Sequence, residues 1–237
     1  SDYRGVYLLV EKIKRDDNRV AIDKLQPTDN SAPAIEGGYL LRRDWVEEAA
    51  IETELYGDEV MVESPKPEDI SGPQWDYIEA YVNDFEAALE RGDGSHSDYD
   101  NLESFADHML MMELSRNVDA YVLSTYMHKP RDGALTMGPI WDFNGSLGNA
   151  DYFESWLTEG WHYENPEFPA DNPNGFMWYA RLLEDAAFRR LLSERWTLHR
   201  SGPWADAALL GDIDAIADRL TDAQERNFGR WDVLGEY

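Results

Sequence analysis

Lys129-Pro130-Arg131-Asp132-Gly133 places a proline and a glycine within five residues, between two stretches rich in strand formers. Proline fixes φ and glycine admits positive φ, so the chain is expected to reverse here. Upstream, Ala120 to His128 carries Tyr121, Val122, Leu123, Thr125 and Tyr126; downstream, Leu135 to Trp141 reads as a return strand. A helix precedes this hairpin, with Leu102, Phe105, Met109 and Met112 stepping by three and four along one face. Its methionines read as core filler rather than a cofactor contact. A hairpin also fixes what stands at its open end, because antiparallel strands bring the start of the first beside the end of the second. Asp119 immediately precedes the first strand and Asp142 immediately follows the second. They are expected to be neighbours despite 23 intervening steps of chain. Two carboxylates in such a place need metal, protons or cations to be tolerable.

Around this unit the sequence predicts further elements. Gly5-Val6-Tyr7-Leu8-Leu9-Val10 has the pattern of a buried strand, and Val20 to Ile22 and Gly38 to Leu41 read as further short strands. Residues 62–73, with Pro65, Pro67 and Pro73, read as a loop. Ser71 then caps a helix with Pro73 in its first turn. The apolar face of that helix is Trp75, Ile78, Val82, Phe85 and Leu89, and Gly92-Asp93-Gly94-Ser95 ends it. Residues 143–175 read as irregular. A helical stretch from about Phe176 to Arg200, broken near Asp185, and another carrying Ile213, Ile216, Leu220 and Ala223 close the chain.

Composition narrows the functions available. The formal charge is −27, and only five lysines (Lys12, Lys14, Lys24, Lys66, Lys129) stand among the 21 basic residues. Such a surface repels nucleic acid and anionic lipid, since phosphate backbones are bound through basic footprints. It reads as a solvating acidic surface suited to high salt, or as one that attracts basic partners. With 43% hydrophobic residues, nine Trp and thirteen Tyr, the chain can bury a substantial core. No apolar run is long enough for a transmembrane segment. The absence of cysteine excludes disulfides, thiolate metal sites and cysteine nucleophiles, while leaving the compartment open, secreted and cell-surface locations included. The five histidines lack zinc-type spacing, Gly145-Ser146-Leu147-Gly148 lacks the spacing of a nucleophile elbow, and Asp93 to Asp100 does not match a calcium loop. The opening Ser1-Asp2-Tyr3-Arg4 resembles neither a signal peptide nor an initiator start, so a processed, trimmed or partial chain is expected.

Protein kinases place one aspartate beside the acceptor hydroxyl and, after a short hairpin, a second that holds Mg²⁺ on the nucleotide phosphates. Here the second lies in Trp141-Asp142-Phe143-Asn144-Gly145, an Asp-Phe pair with its glycine one residue late. Spacing alone leaves open that both aspartates merely cap a helix and a strand. Four ordered stretches add to it. They are Tyr3-Arg4-Gly5-Val6-Tyr7-Leu8-Leu9-Val10-Glu11-Lys12, Glu113-Leu114-Ser115-Arg116-Asn117-Val118-Asp119, Gly138-Pro139-Ile140-Trp141-Asp142-Phe143-Asn144 and Gly148-Asn149-Ala150-Asp151-Tyr152. With Arg195-Trp196 and Arg226-Asn227-Phe228-Gly229-Arg230-Trp231, they resemble the CotH kinase family from end to end.

The resemblance implies an α+β, atypical protein-kinase-like fold: a mostly helical C-lobe with a β-hairpin between the two active-site aspartates. It implies one domain over residues 1–237, corresponding to the hinge-to-C-terminal portion of the family, with the phosphate-covering loop and its lysine belonging upstream. The founding members phosphorylate serines of spore-coat proteins, so the implied partners are a nucleotide and a protein substrate, with ATP and Mg²⁺ as cofactors. By resemblance Asp119 is the catalytic-loop aspartate and Asp142 the metal ligand, with Asn144 where relatives often carry a second aspartate. Glu11 falls near the inter-lobe hinge, where adenine would bind. Ser124 stands where many relatives have an asparagine for a second metal, and is a poorer Mg²⁺ ligand. Asn117 and Glu113, one helical turn apart before Asp119, could orient it or a metal-bound water; equally, they could be a helix C-cap and a solvated glutamate.

Two other functions stay in view. The kinase-like scaffold could serve as a non-catalytic surface or adhesion module, favoured by Ser124 and by the upstream position of the phosphate loop. Trp156, Trp161, Tyr163, Phe168 and Trp178 could form a carbohydrate-binding face, or could plug the core beneath a long loop.

Overall fold

The computed structural model describes residues 2–46, 49–165 and 174–234. They fall into two units, one built from residues 13–192 and the other from residues 1–12 and 193–237.

In the larger unit, helix α1 (Gly72–Arg91) starts where the sequence predicts. Ser71 Oγ accepts the Gln74 N–H at 3.4 Å, and the Gln74 side chain accepts the Ser71 N–H at 3.1 Å, a reciprocal cap with Pro73 in the first turn. It ends at Gly92, whose φ of 62° lets its N–H return to the Leu89 carbonyl. Helix α2 (Leu102–Ser115) is capped by Asn101 and stopped by Arg116 at φ 46°. Helices α3 (Asn174–Glu184) and α4 (Ala186–Arg200) are separated at Asp185, whose carboxylate accepts the Ala187 N–H at 2.8 Å. Phe85, Phe105 and Trp178 pack ring to ring where α1, α2 and α3 meet.

Strands β1 (Tyr39–Arg43), β2 (Ala50–Glu52), β3 (Glu59–Ser64), β4 (Thr125–Lys129) and β5 (Thr136–Met137) form an antiparallel sheet in the order β2-β3-β1-β4-β5. Leu41 opposes Met127, and Met127 opposes Met137, so these side chains share a face with Tyr39 and Arg43. That face meets the helices: the Tyr39 hydroxyl donates to the Gln74 carbonyl at 3.3 Å, and the Met137 N–H donates to Ser104 Oγ at 3.0 Å. Tyr39, Leu41 and Met127 are wholly buried, a contribution of roughly 1.5–3 kcal/mol each by apolar burial. On the other face Leu40 packs with Ile13, Val20 and Ile22, and Tyr126 and Trp141 border this cluster.

In the smaller unit, helix α5 (Asp206–Arg230) carries the N-terminal segment. The Val6 N–H donates to Asn227 Oδ1 at 2.9 Å, and Trp231 Nε1 donates to the Arg4 carbonyl at 3.1 Å. Gly5 sits between these contacts at φ 124°, where an added Cβ would lie 3.0 Å from Trp231 Nε1.

The mixed α+β class holds, with several corrections to the strands. Gly5–Val10 is not a buried strand: among the described residues it pairs with no strand, and Leu8 and Leu9 are 87% and 97% exposed. Its apolar run satisfies a strand pattern, but its polar contacts run to α5 instead. Val20–Ile22 forms only an isolated bridge to Arg15, and its side chains serve as apolar cover for Leu40. The loop read over residues 62–73 begins later, since β3 continues through Ser64. The hairpin exists but is shorter than the 120–141 span. Residues 118–122 turn helically, with the Val122 and Leu123 N–H groups both donating to the Asp119 carbonyl. The β-forming Tyr121 therefore anchors a loop rather than a strand.

Candidate active site

Asp119 stands on the turn between α2 and β4, and Asp142 on the segment leaving β5. Shortening the hairpin does not part them. Asn117, 2% exposed, spans both: its Oδ1 accepts the Asp119 N–H at 3.1 Å, and its Nδ2 donates to the Asp142 carbonyl at 3.4 Å. Arg116 is the helix cap and the Asn117 N–H closes the same end on the Met112 carbonyl at 3.2 Å, while the Asn117 side chain fixes the two backbones relative to one another. Asp142 holds a φ of 59°, unusual for a residue with a Cβ. Strain of that kind persists where the surroundings fix the backbone.

The electrostatics are those of an anionic cluster. Burial, then the charges of Asp142 and Asp44, raise the Asp119 carboxyl above its ordinary value. Among the described residues neither Asp119 nor Asp142 has an ion-pair partner, whereas Asp44, just beyond β1, lies 3.7 Å from Arg42. Tyr152 faces the same charges: its phenol is raised by burial, then by Asp119, Asp151 and Asp142. Its hydroxyl approaches Gly145, where a Cβ would fall 3.9 Å from it and only 2.6 Å from Val118 Cγ2. Glycine at 145 lets the segment after Asp142 lie directly on the loop carrying Asp119.

Glu113 is neither solvated nor aimed at Asp119. It accepts the Tyr121 hydroxyl at 2.6 Å and the Tyr163 N–H at 3.1 Å, and it also accepts the His162 N–H. Burial raises its carboxyl despite these donors. Arg116 holds the neighbouring stretch, donating to the Glu154, Glu159 and Gly160 carbonyls. Together they clamp the irregular segment over the end of α2.

Of the other predicted site residues, Asn144 is exposed two positions beyond Asp142, and its carbonyl accepts Asn149 Nδ2 at 2.7 Å. Ser124 is half-buried at φ 51°, directly before β4. Glu11 is exposed on the N-terminal segment, within the smaller unit. The structure therefore brings together Asn117, Asp119 and Asp142 within the larger unit. The aromatic set divides. Trp178 is a core residue, 5% exposed and bonded through Nε1 to Glu86 at 2.8 Å, whereas Trp156 and Trp161 are exposed. Phe168 lies outside the described residues.

Sequence reasoning missed Asp44 and Tyr152. Tyr152 closes the stretch Gly148-Asn149-Ala150-Asp151-Tyr152, but nothing local shows where its hydroxyl points. Asp44 reaches the site through strand order, because β1 lies beside β4 with Arg43 opposite Thr125.

Asp142, with the exposed Asn144 two positions on, offers oxygen donors suited to Mg²⁺. The ion binds through one or two carboxylates and completes its octahedron with substrate phosphates and water. Among the described residues no three His, Asp or Glu side chains converge as a ready metal cage.

No curated protein and no solved structure matches the chain. A family model described as CotH kinase protein matches residues 1–237. With that match spanning its whole length, the chain belongs to the CotH kinase family.

Proposed function

We propose that the chain transfers a phosphoryl group from a nucleotide, ATP by family, to a serine or threonine hydroxyl of a protein, with Asp119 and Asp142 at the reaction centre. One observation carries the reading: Asn117 ties together two aspartates so placed that burial and the neighbouring charge of Asp142 raise the Asp119 carboxyl. Mg²⁺, when bound, supplies balancing positive charge and draws charge from the transferring phosphate. Asp142 and the exposed Asn144 are the residues to hold it. Asp119, with its carboxyl pKa raised by burial and neighbouring charge, is suited to accept the proton of the acceptor hydroxyl. Asn117 keeps the metal-holding and proton-accepting positions in fixed relation. Tyr152 adds a phenolic donor at the same mouth.

Substitution separates the two roles. Asp142→Ala is expected to abolish metal-dependent phosphoryl transfer. Asp119→Ala is expected to leave nucleotide binding intact while lowering transfer by about 10²–10⁴-fold, the usual share of a positioned proton acceptor. Both are read by radiolabelled transfer to a basic protein and by nucleotide titration in the presence of Mg²⁺. Undiminished transfer in both variants sinks the mechanism.

A second reading, a non-catalytic module on the same scaffold, has Ser124 in its favour. A short hydroxyl there is a weaker second-metal ligand than asparagine. Nucleotide binding without any transfer in the unaltered protein would select it.

A further inference from the structure

Asp119 sits on a loop whose backbone is strained at three places: Arg116 at φ 46°, Tyr121 at φ 69° and Ser124 at φ 51°. A large aromatic residue in the left-handed region is held there only if its surroundings leave no alternative. Tyr121, two residues beyond Asp119, is gripped at both ends. Its carbonyl accepts Arg43 Nη1 at 2.9 Å, and its hydroxyl donates to Glu113 at 2.6 Å. Its ring, 2% exposed, packs 4.9 Å from that of Tyr179 and 6.2 Å from that of His108.

Arg43 is no ordinary surface arginine. It is 7% exposed, and its guanidinium meets Asp58 at 2.7 Å, itself 1% exposed. Glu86 of α1, wholly buried, adds a second negative charge near it. An apolar core of the same shape would cost less than a buried charged cluster, so stability alone gives little reason for one here. It does deliver one charge-assisted hydrogen bond to one carbonyl, that of Tyr121.

We propose that Tyr121 is the positioning residue for Asp119, held from the sheet side by the buried Arg43–Asp58 pair and from the helix side by Glu113. It fixes the loop so that the Asp119 carboxylate stays beside Asp142. The inference rests on the reading of Asp119 as the proton acceptor for its catalytic consequence, but not for its geometry.

Two conservative variants test it. Tyr121→Phe keeps the ring and removes the hydroxyl that donates to Glu113. Arg43→Lys keeps the charge facing Asp58 but gives up the fork that also reaches the carbonyl. Each is expected to lower kcat on the order of 10- to 100-fold, as small misplacements of a reacting group do, with the nucleotide KM within about twofold of the unaltered protein. Amide hydrogen exchange supplies a readout independent of activity. The Asp119, Val122 and Leu123 amides, which close this loop on Asn117 and on the Asp119 carbonyl, are expected to exchange faster in both variants by on the order of 10-fold or more. Near-UV circular dichroism confirms that the core is retained. Exchange of these amides unchanged in both folded variants overturns the positioning role, whatever the activity. If the unaltered protein transfers no phosphate, the function reading fails, and the exchange rates still decide the inference. A raised KM with unchanged kcat would also overturn it, by placing Tyr121 in substrate binding instead.

Discussion

At the scale of single residues, the least expected feature is how many polar side chains near the candidate site are spent on backbone. Asn117 spans two aspartates, Glu113 collects three donors, and Arg116 collects three carbonyls. His108, on α2 behind the same loop, belongs to this framework. It is 6% exposed, 2.7 Å from the Tyr179 hydroxyl, and burial lowers its pKa to about 4. The unfolded chain would bind that proton near an ordinary histidine pKa of about 6.5. Between these values the unfolded state binds more protons than the native state, so acidification favours unfolding. Relative to His108→Gln, which cannot titrate, the unaltered protein is therefore expected to lose up to about 3 kcal/mol as pH falls from about 6.5 to about 4. Urea unfolding of both proteins across that range measures it; parallel stability curves would show that His108 takes up its proton without unfolding. The sequence offered Asp119, Asp142 and Asn117 because each has a place in an ordered motif. Glu113 stands in the same motif as Asn117, but its role was misread, because its partners lie up to 50 positions away and only the fold brings them within reach.

At the scale of elements, legibility followed the range of the interactions. Helix α1 could be read from Ser71 to Gly92 because its signals are local: a cap, a proline, an apolar face and a glycine that accepts positive φ. The break at Asp185 was visible for the same reason. The β4–β5 hairpin was found by its turn but overextended, since Tyr121, Val122 and Leu123 favour strands by composition, while tertiary contacts bend them into a loop. Strand β2 and most of β3 escaped because short strands are made by their neighbours. The contact between Gly145 and Val118 shows how closely the two loops of the site are fitted. A methyl at 145 would meet Val118 Cγ2 at 2.6 Å, too near for any side chain to ignore. Gly145→Ala is expected to destabilise the protein by about 1–3 kcal/mol through overpacking. Val118→Ala alone should also destabilise, but the double variant should lose less than the sum, with a coupling above about 0.5 kcal/mol. Strict additivity in thermal or urea unfolding would mean that the two loops do not press on one another.

At the scale of the whole molecule, charge is the property that neither local pattern nor fold neutralises. There are 48 acidic residues against 21 basic ones. Several of the basic groups are already committed: Arg43 to Asp58, Arg181 to Glu90, Arg200 to Asp206. The surplus is long-range repulsion in the native state, which the unfolded chain relieves by expanding. Added salt shortens the screening length from about 10 Å at 0.1 M to about 3 Å at 1 M. It therefore removes repulsion between separated acidic groups while scarcely touching the buried Arg43–Asp58 pair. Exposed ion pairs weaken as well, but each is worth at most about 1 kcal/mol, so the balance favours the folded state. The unfolding temperature is accordingly expected to rise steadily with KCl from low to molar concentration. Sodium chloride should act alike, because screening depends on ionic strength and not on the identity of the cation. A flat response would show that the acidic groups are spaced too widely to repel. A rise with a divalent cation alone, at millimolar levels, would shift the cause from screening to binding, with the pair Asp119 and Asp142 as the first place to look.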